Sequence, residues 1–410
     1  MSALTHTDRI VFDHRTIQAC KFDEAASRVL PLLETRVLPV AMLGDTVILS
    51  LGRAMPVELP LLRRLGFGPD DSDLLFVAED LNGAALLPID PHATIYPFTA
   101  TSPLSHALHR AARCRFHGCR QRVAIKANLK STLQRWYDEC IPVPEGSAVS
   151  DGEQTKFMIA DLLTRHTSVV FKPDFSASGI GHRTFWRGEP LDETSLEQTL
   201  MLPGIVQARV EKDMDVSVQF RVDPVTADAD GPHEGPSIHI LEITGQYVSE
   251  HGEYQGGFFP VSGLSSALTD HIKMAVWKAV SRLVHAEGYW GPGSVDVLVN
   301  TRTNRFWLVD VNARVSAMWY PLQMIHRRLG RVLPFSMRSF QIPVGLPIGV
   351  LEEVFHDYFF SFDKNEGFVP FAFLPEVGFC YGVVFAEDPD RCLALDKSIV
   401  QAEQLLRIAS

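Results

Sequence analysis

Two runs of alternating apolar residues, Ser294-Val-Asp-Val-Leu-Val-Asn300 and Phe306-Trp-Leu-Val-Asp-Val-Asn-Ala-Arg314, flank the polar stretch Thr-Arg-Thr-Asn and read as a β-hairpin. Asp310, Asn312 and Arg314 are spaced by two, so a continuing strand presents them on one face. If Thr301 pairs with Arg305 around a three-residue loop, Asp296 falls opposite Asp310. Two carboxylates in that position repel and weaken a sheet. A divalent cation between them reverses the sign, and two carboxylates with an amide oxygen are hard ligands suited to Mg²⁺. Arg314 beside them has the planar fork that grips a phosphate with two bonds. The alternative is a plain polar face on an amphipathic hairpin. The strongly apolar opposite face weighs against that, because it leaves both carboxylates to be explained.

A second chemical stretch is Val169-Val-Phe-Lys-Pro-Asp-Phe-Ser-Ala-Ser-Gly-Ile-Gly-His182. A strand ends at Lys172 and a small-residue loop follows, Ser176 to Gly181. Small residues let backbone N–H groups approach phosphate oxygens, and a lysine adds a point charge. The lysine precedes the glycines, so this is not a P-loop. By itself the stretch also reads as a structural turn. His182 then reads as a phosphate contact or as an exposed loop histidine. Cys114, His117 and Cys119 lack both C-x-x-C spacing and a second pair, which argues against a structural zinc.

These residues need a scaffold, and composition bounds it. The chain has 410 residues, which suggests two or three domains. Apolar residues make up 46% and charged ones 21%, a globular balance. The net charge of −11 is a poor basis for nucleic-acid binding. No apolar run approaches the ~18 residues of a spanning helix. The charged first residues do not resemble a secretion signal, and six cysteines are too few for a disulfide scaffold. A cytoplasmic protein without nucleic-acid or membrane partners is expected.

Strands are expected at Val40–Leu43, Thr46–Ser50 and Leu74–Ala78, with helices over Leu104–Phe116 and Leu129–Cys140, an α/β alternation. Further strands are expected at Ser168–Pro173, Gly204–Val210, Val216–Val222 and Ser237–Ile243, with a helix over Leu268–His285. The polar segment Val225–Pro236 reads as an exposed loop, and Phe368–Phe385 as a C-terminal β appendage whose aromatic residues pack a core.

Over about residues 127–330 the chain resembles the ATP-grasp superfamily. Lys172 and the loop Ser176 to Gly181 match its strand-end lysine and phosphate flap. Asp310, Asn312 and Arg314 match its acidic–x–Asn–x–Arg signature, and Asp296 behind Gly288-Tyr-Trp-Gly-Pro-Gly matches its earlier acidic residue. Lys130, before Cys140-Ile-Pro-Val-Pro, matches the lysine that heads a helix. Val206-Gln-Ala-Arg-Val210 matches the hinge strand that reads adenine, with Glu211 or Asp213 in reach of the ribose. Asp215-Val-Ser-Val stands where relatives have Glu-x-Ser-Val, both metal carboxylates are Asp where many use Glu, and the flap has fewer glycines.

The resemblance implies an α/β (α+β) fold with three parts: a Rossmann-like α/β domain over 1–126, an ATP-grasp domain over 127–335 with its flap within about 127–210, and a β-rich extension over 336–410. It implies ATP and Mg²⁺ as cofactors. Lys130, Lys172, Ser176, Ser178, Gly179, Gly181, Gln207, Ala208, Val210 and Asp213 would hold the nucleotide. Asp296, Asp310 and Asn312 would hold the metal, with Lys130, Lys172 and Arg314 catalytic. Within the superfamily the chain looks like amino-acid and peptide ligases with an N-terminal pre-ATP-grasp domain. A cue is Glu250-His-Gly-Glu-Tyr-Gln-Gly-Gly-Phe-Phe-Pro260, which is like a loop over the acceptor site and otherwise a surface turn. Glu253, Gly256, Gly257, Arg221 and Arg314 are the substrate candidates, although Arg221 also fits a structural ion pair.

The implied activity is an ATP-dependent carboxylate–amine ligase that forms an amide through an acyl phosphate, with an amino acid or small peptide as substrate and a homodimer as the assembly. Other readings are a ligase for a non-peptide carboxylate or amine, a regulatory protein with a degenerate site, and a carboxylase that activates bicarbonate. The intact lysines and carboxylates weigh against degeneracy. The lack of a biotin-carrier segment weighs against the carboxylase.

Overall fold

The computed structural model describes residues 10–13, 30–42, 45–50, 55–77, 93–97, 110, 115–116, 118–119, 121–136, 141–174, 181–189, 203–223, 236–249 and 252–406. Among these described residues the strands form three sheets. The first is parallel, with strands β1 (Ile10–Asp13), β2 (Thr46–Ser50), β3 (Leu74–Val77), β4 (Thr94–Pro97) and β5 (Arg115–Phe116) in the order β3-β2-β1-β4-β5. The second is antiparallel, with β6 (Gly146–Val149), β7 (Ser168–Pro173), β8 (Arg183–Trp186) and β9 (Gly204–Ala208) in the order β6-β9-β7-β8.

The third sheet has eight antiparallel strands: β10 (Met214–Asp223), β11 (Ser237–Val248), β12 (Tyr254–Phe259), β13 (Gly291–Asn300), β14 (Arg305–Asn312), β15 (Phe335–Gln341), β16 (Gly367–Leu374) and β17 (Phe379–Phe385). Their order is β14-β13-β10-β11-β12-β15-β17-β16. The helices are α1 (Leu59–Arg64), α2 (Gln121–Ala127), α3 (Gly152–Arg165), α4 (Ser266–Glu287), α5 (Trp319–Leu329), α6 (Ile348–Phe355) and α7 (Pro389–Leu406).

Period-two alternation sorts the large sheet into a dry face and a wet one. Val216, Val218, Phe220, Val222, Val295, Val297, Val299, Leu308 and Val311 are buried against α4, which supplies Leu268, Ile272, Val276, Ala279, Val280 and Leu283 at helical spacing. Ser265 starts that helix by accepting a hydrogen bond from the Leu268 N–H at 3.2 Å, and Gly288 ends it with φ +71°. The small antiparallel sheet packs Val169, Phe171, Phe185 and Val206 against Ile159 and Leu162 of α3. That helix begins at Asp151, whose side chain caps the Gln154 N–H at 3.0 Å.

Several expectations need correction. No strand forms at Val40–Met42, and Leu43 lies outside the described residues. Leu30–Val37 is a 3-10 helix that runs into a turn closed by Val40 N–H on Val37 O at 2.9 Å, and Pro39 has no N–H to give a ladder. Of Leu104–Phe116, Arg110 is helical and Arg115–Phe116 form β5, while the residues between and before lie outside the described set. Leu129–Cys140 is not one helix. It holds two 3-10 turns, Lys130–Thr132 and Gln134–Trp136, and Tyr137–Cys140 lie outside. The Ser131 N–H on Asp174 Oδ1 at 2.8 Å ties that first turn to the end of β7, so a tertiary anchor replaces the helical ladder. Of Glu250–Pro260, Glu250 and His251 lie outside the described residues, and Tyr254–Phe259 form strand β12, paired on both sides, rather than a loop. The loop over 225–235 lies outside the described residues.

The expected C-terminal strands form as β15, β16 and β17, and they continue the eight-stranded sheet from β12. Phe340, Phe355, Phe368 and Phe373 pack there with α6 and α7, helices that the sequence reading did not include.

Candidate active site

The expected facing of Asp296 and Asp310 is present, by a different route from the one expected. The turn begins one residue earlier, with Asn300 paired to Arg305 around the four residues 301–304. Asn304 takes the left-handed conformation that asparagine tolerates, φ +53°. The register stays on that pairing through Val297 and Leu308, then shifts by one residue, leaving Val309 as the bulge. The shift turns Asp310 back onto the wet face, opposite Asp296.

Across the neighbouring strands the same row continues as Ser217 on β10 and Thr244 on β11. Ser217 Oγ donates to Asp296 Oδ1 at 2.8 Å, and Gln246 Nε2 donates to the same oxygen at 3.0 Å. Asn312 Nδ2 donates to Asp296 Oδ2 at 3.0 Å, and Asn312 Oδ1 accepts from Arg314 Nη2 at 2.7 Å. Asn312 thus links the arginine to the carboxylate.

Asp310 has a different environment. Lys130 Nζ forms a buried ion pair with its Oδ2. Its Oδ1 is buried and takes no hydrogen bond. Burial alone would raise this carboxyl, but Lys130, Lys172 and Arg314 outweigh it and hold Asp310 below the ordinary carboxylate range. Burial and the facing Asp310 push Asp296 the other way, above that range. Opposite shifts in facing carboxylates are a recurring sign of a functional pair. Burial lowers Lys172 to about 8, and Lys130 adds repulsion against the attraction of Asp310. Burial likewise lowers Arg314.

Lys172 comes from the small sheet and Lys130 from the 3-10 turn Lys130–Thr132, and both charges act on Asp310. Lys172 lies on β7, and Asp174 just beyond it accepts the Ser131 N–H at 2.8 Å and the Lys130 N–H on its carbonyl at 3.4 Å. His182, just before β8, is half-buried and its Nε2 has no partner. Burial, then Lys172 and Lys130, lower it to about 3, so it is neutral. Gly181 takes φ +79°. Ser176, Ser178 and Gly179 lie outside the described residues.

Other expected site residues separate from this cluster. Asp213 accepts Thr301 N–H at 3.0 Å and Thr301 Oγ1–H at 2.7 Å, which pins the β13–β14 turn. Arg221 makes a two-point ion pair with Asp223 at 2.8 Å on its own strand, the structural alternative. Glu253 is exposed in the turn before β12. Gly256 and Gly257 are buried inside β12, where a Cβ would meet Met337 O at 2.1 Å and Gly245 O at 2.5 Å. Gln207, Ala208 and Val210 lie on or just after β9, with Gln207 on the face of Lys172.

Sequence reasoning missed Ser217 and Gln246, although Ser217 sits inside the Asp215-Val-Ser-Val element. It also missed Arg36, Tyr254 and Tyr320. Arg36 is buried 5.1 Å over the Tyr320 ring, and its charge acts on Arg314. No local pattern marks these three.

The donor set fits a hard divalent ion. An unmet carboxylate oxygen faces a second carboxylate, with an amide alongside. Among the described residues no three His, Cys, Asp or Glu side chains converge, so phosphate or water oxygens would have to complete the shell.

The sequence matches no family model and no curated protein. Solved structures do match. Carboxyaminoimidazole ribonucleotide synthase from Aspergillus clavatus, complexed with ATP, aligns at TM-score 0.60 and 12% identity over 98% of this chain and 99% of that one. A biotin carboxylase–ATP complex from Campylobacter jejuni aligns at TM-score 0.58 and 14% identity over 94% and 89%. The biotin carboxylase domain of Hydrogenobacter thermophilus 2-oxoglutarate carboxylase, with MgADP and bicarbonate, aligns at TM-score 0.58 and 12% identity over 95% and 89%. At these identities the likeness establishes the fold, and the fold is ATP-grasp.

Proposed function

We propose that this chain is an ADP-forming ligase that activates a carboxylate with ATP and passes it to an amine. The observation that carries this reading is the facing pair Asp296 and Asp310. Three cationic side chains act on it, and Asp310 Oδ1 is left without a partner. Asp296 and Asp310, with Asn312 alongside, would hold Mg²⁺. The ion supplies charge neutralisation at the phosphates when bound.

The substrate carboxylate attacks the γ-phosphorus, the bond to the β-phosphate oxygen breaks, and ADP leaves. The amine nitrogen then attacks the acyl carbon, phosphate leaves, and the amine proton passes to solvent or phosphate. Phosphoryl transfer asks mainly for positioning and charge stabilisation. Lys172 and Lys130 offset the charge on the transferred group, and Arg314 holds an oxygen of the acyl phosphate or tetrahedral intermediate. Asn312 aims the arginine through its 2.7 Å bond.

An amino acid or small peptide as substrate remains the first reading, from the pre-ATP-grasp resemblance. Bicarbonate as the carboxylate is the second. It is favoured by the alignment of almost the whole chain with a carboxyaminoimidazole ribonucleotide synthase, and with a carboxylase domain whose structure holds bicarbonate. ADP and phosphate release from MgATP, measured against pooled amino acids, dipeptides and bicarbonate, each with and without pooled amines, separates them. Release that needs an amino-acid or dipeptide pool supports the first reading, and release with bicarbonate supports the second. No release together with no MgATP-dependent thermal shift overturns the ligase reading.

A further inference from the structure

Tyr254 carries a buried hydroxyl that has no partner. Such a group costs stability unless something from outside the fold meets it. A bulge puts it where it is. Gln246 pairs with Gly257 and Tyr247 with Gly256, but Val248 pairs with Tyr254, which leaves Gln255 as the extra residue of β12. The shift sets Tyr254 on the face of Gln246, the side chain that donates to Asp296. With unbroken alternation Tyr254 would stand on the opposite face, with Gly256.

Other groups converge on the same end of the sheet. Gly257, Met337 and Val383 form one row across β12, β15 and β17, and Tyr381, two residues before Val383, shares their face. Arg36 is buried on the 3-10 helix Leu30–Val37 and lies 5.1 Å over the Tyr320 ring of α5. Burial raises the Tyr254, Tyr320 and Tyr381 hydroxyls, so all three stay protonated and able to donate. The Arg36 charge acts on each of them and on Arg314, and Asp296 acts on Tyr254 from the other side. Phenol donors set among guanidinium groups suit an oxyanion.

Tyr254 on β12 is three strands from Asp296 in the order β13-β10-β11-β12, roughly 14 Å at ~4.8 Å per strand. In the reading above, the metal, the phosphates and the acyl group belong at the β13–β14 end. The β12 end is left for the second substrate.

We infer that Tyr254 and Arg36 form the anion-recognising end of the amine pocket, so that the amine substrate carries a carboxylate or phosphate group to which Tyr254 Oη–H donates a hydrogen bond. The inference rests on the ligase reading above and narrows its amine. A neutral end group would make only the weaker, uncharged bond to the hydroxyl, or none.

The test is the thermal shift of the intact protein with MgADP and each of three amine pools: amino acids, the matching amino-acid amides, and aminoalkyl phosphates. MgADP should raise the melting temperature, one anionic pool should raise it further, and the neutral amides should not. The anionic pool that acts identifies the oxyanion. Tyr254→Phe removes one oxygen. Without ligands its melting temperature should hold or rise, because an unmet hydroxyl is gone. Its affinity for the active pool should fall roughly tenfold to a hundredfold, with the MgADP shift unchanged. Arg36→Gln should also lose the anionic response. A merely structural tyrosine would lower the melting temperature and leave that affinity untouched. Amides that stabilise as well as their acids overturn the inference, as does an unchanged affinity in Tyr254→Phe. If Arg36→Gln does not fold, Tyr254→Phe decides. No response to either anionic pool beside a normal MgADP shift overturns the inference and leaves the nucleotide reading standing. A missing MgADP shift overturns the nucleotide reading instead, and the response of the nucleotide-free protein to the anionic pools then decides the pocket.

Discussion

The eight-stranded sheet carries two buried charge clusters, one on β13 and β14 and one on β15, and they are built to opposite standards. On β15, Arg338 grips Asp396 of α7 with bonds of 2.8 and 3.0 Å, Ser336 Oγ donates to the same carboxylate at 2.8 Å, and Tyr247 Oη meets Ser336 at 3.2 Å. The Arg338 guanidinium also lies 3.9 Å over the Tyr247 ring. No atom of that cluster is among the buried polar atoms left without a partner, so it acts as a clip that holds α7 on the sheet. On β13 and β14, Asp310 Oδ1 has no partner, and the nearby Tyr254 hydroxyl and His182 Nε2 are also unmet. An unpaired buried acceptor costs about 1–3 kcal/mol. A polar network closed at one end and left open at the other supports the proposed site at the open end.

The contrast breaks first at Asp310. Asp310→Asn should cut MgATP turnover by about 10²–10³; it also leaves the buried Lys130 ammonium without its carboxylate, so the melting temperature should fall, and turnover is read below it, where circular dichroism still matches the wild type. Wild-type ADP release in that variant would remove Asp310 from the machinery. Lys172→Met should cost about 10² in kcat/KM for ATP while relieving a buried charge, so its melting temperature should hold or rise. A drop in melting temperature with unchanged kinetics would make Lys172 structural.

Asp396→Ala is the mirror experiment. It should cost about 2–3 kcal/mol of stability, less than a fully buried pair because Arg338 keeps part of its surface in water. MgATP affinity should be unchanged. Urea melts read the first and calorimetry the second, and a large loss of nucleotide affinity would erase the distinction between the clusters.

The smallest effect is a proton count. Lys172 sits at about 8 against an ordinary 10.5, so the unfolded chain holds more protons here between those values. This group's contribution to stability therefore rises with pH across that window. Phosphates arriving beside it favour the charged form, so nucleotide binding near pH 8.5 should take up a fraction of a proton in the wild type and less in Lys172→Met. Calorimetry in buffers of different ionisation enthalpy measures this, and equal uptake in both would assign the proton elsewhere.

Much of this was legible along the chain. Strands β7, β9, β10, β13 and β14 follow from period-two alternation, and α4 from its 3.6-residue stripe, because both signals are local. Asp296, Asp310, Asn312 and Lys172 were readable because they sit on such strands at fixed spacing, and Arg314 because it keeps that spacing two residues past the end of β14, where the expected strand does not continue. The facing of the two aspartates was anticipated from the wrong turn, and the shift at Val309 restored it. Lys130 was anticipated at the head of a helix and stands instead on a 3-10 turn anchored to Asp174. Glycines 256 and 257 suggested a loop because a strand that needs glycine for close packing looks the same in one dimension as a flexible turn.

The sequence by itself determined the strongly periodic elements β7, β9, β10, β13, β14 and α4, which face of the hairpin is polar, and which lysines and carboxylates are available to a site. Only the tertiary structure decided that Lys130 meets Asp310 from 180 positions away, that Ser217 and Gln246 hold Asp296, and that Gln134 bonds Gln207. The physical reason is range. Periodicity is set by neighbouring residues, whereas whether a buried donor or acceptor finds its partner depends on strand order and register across the whole sheet.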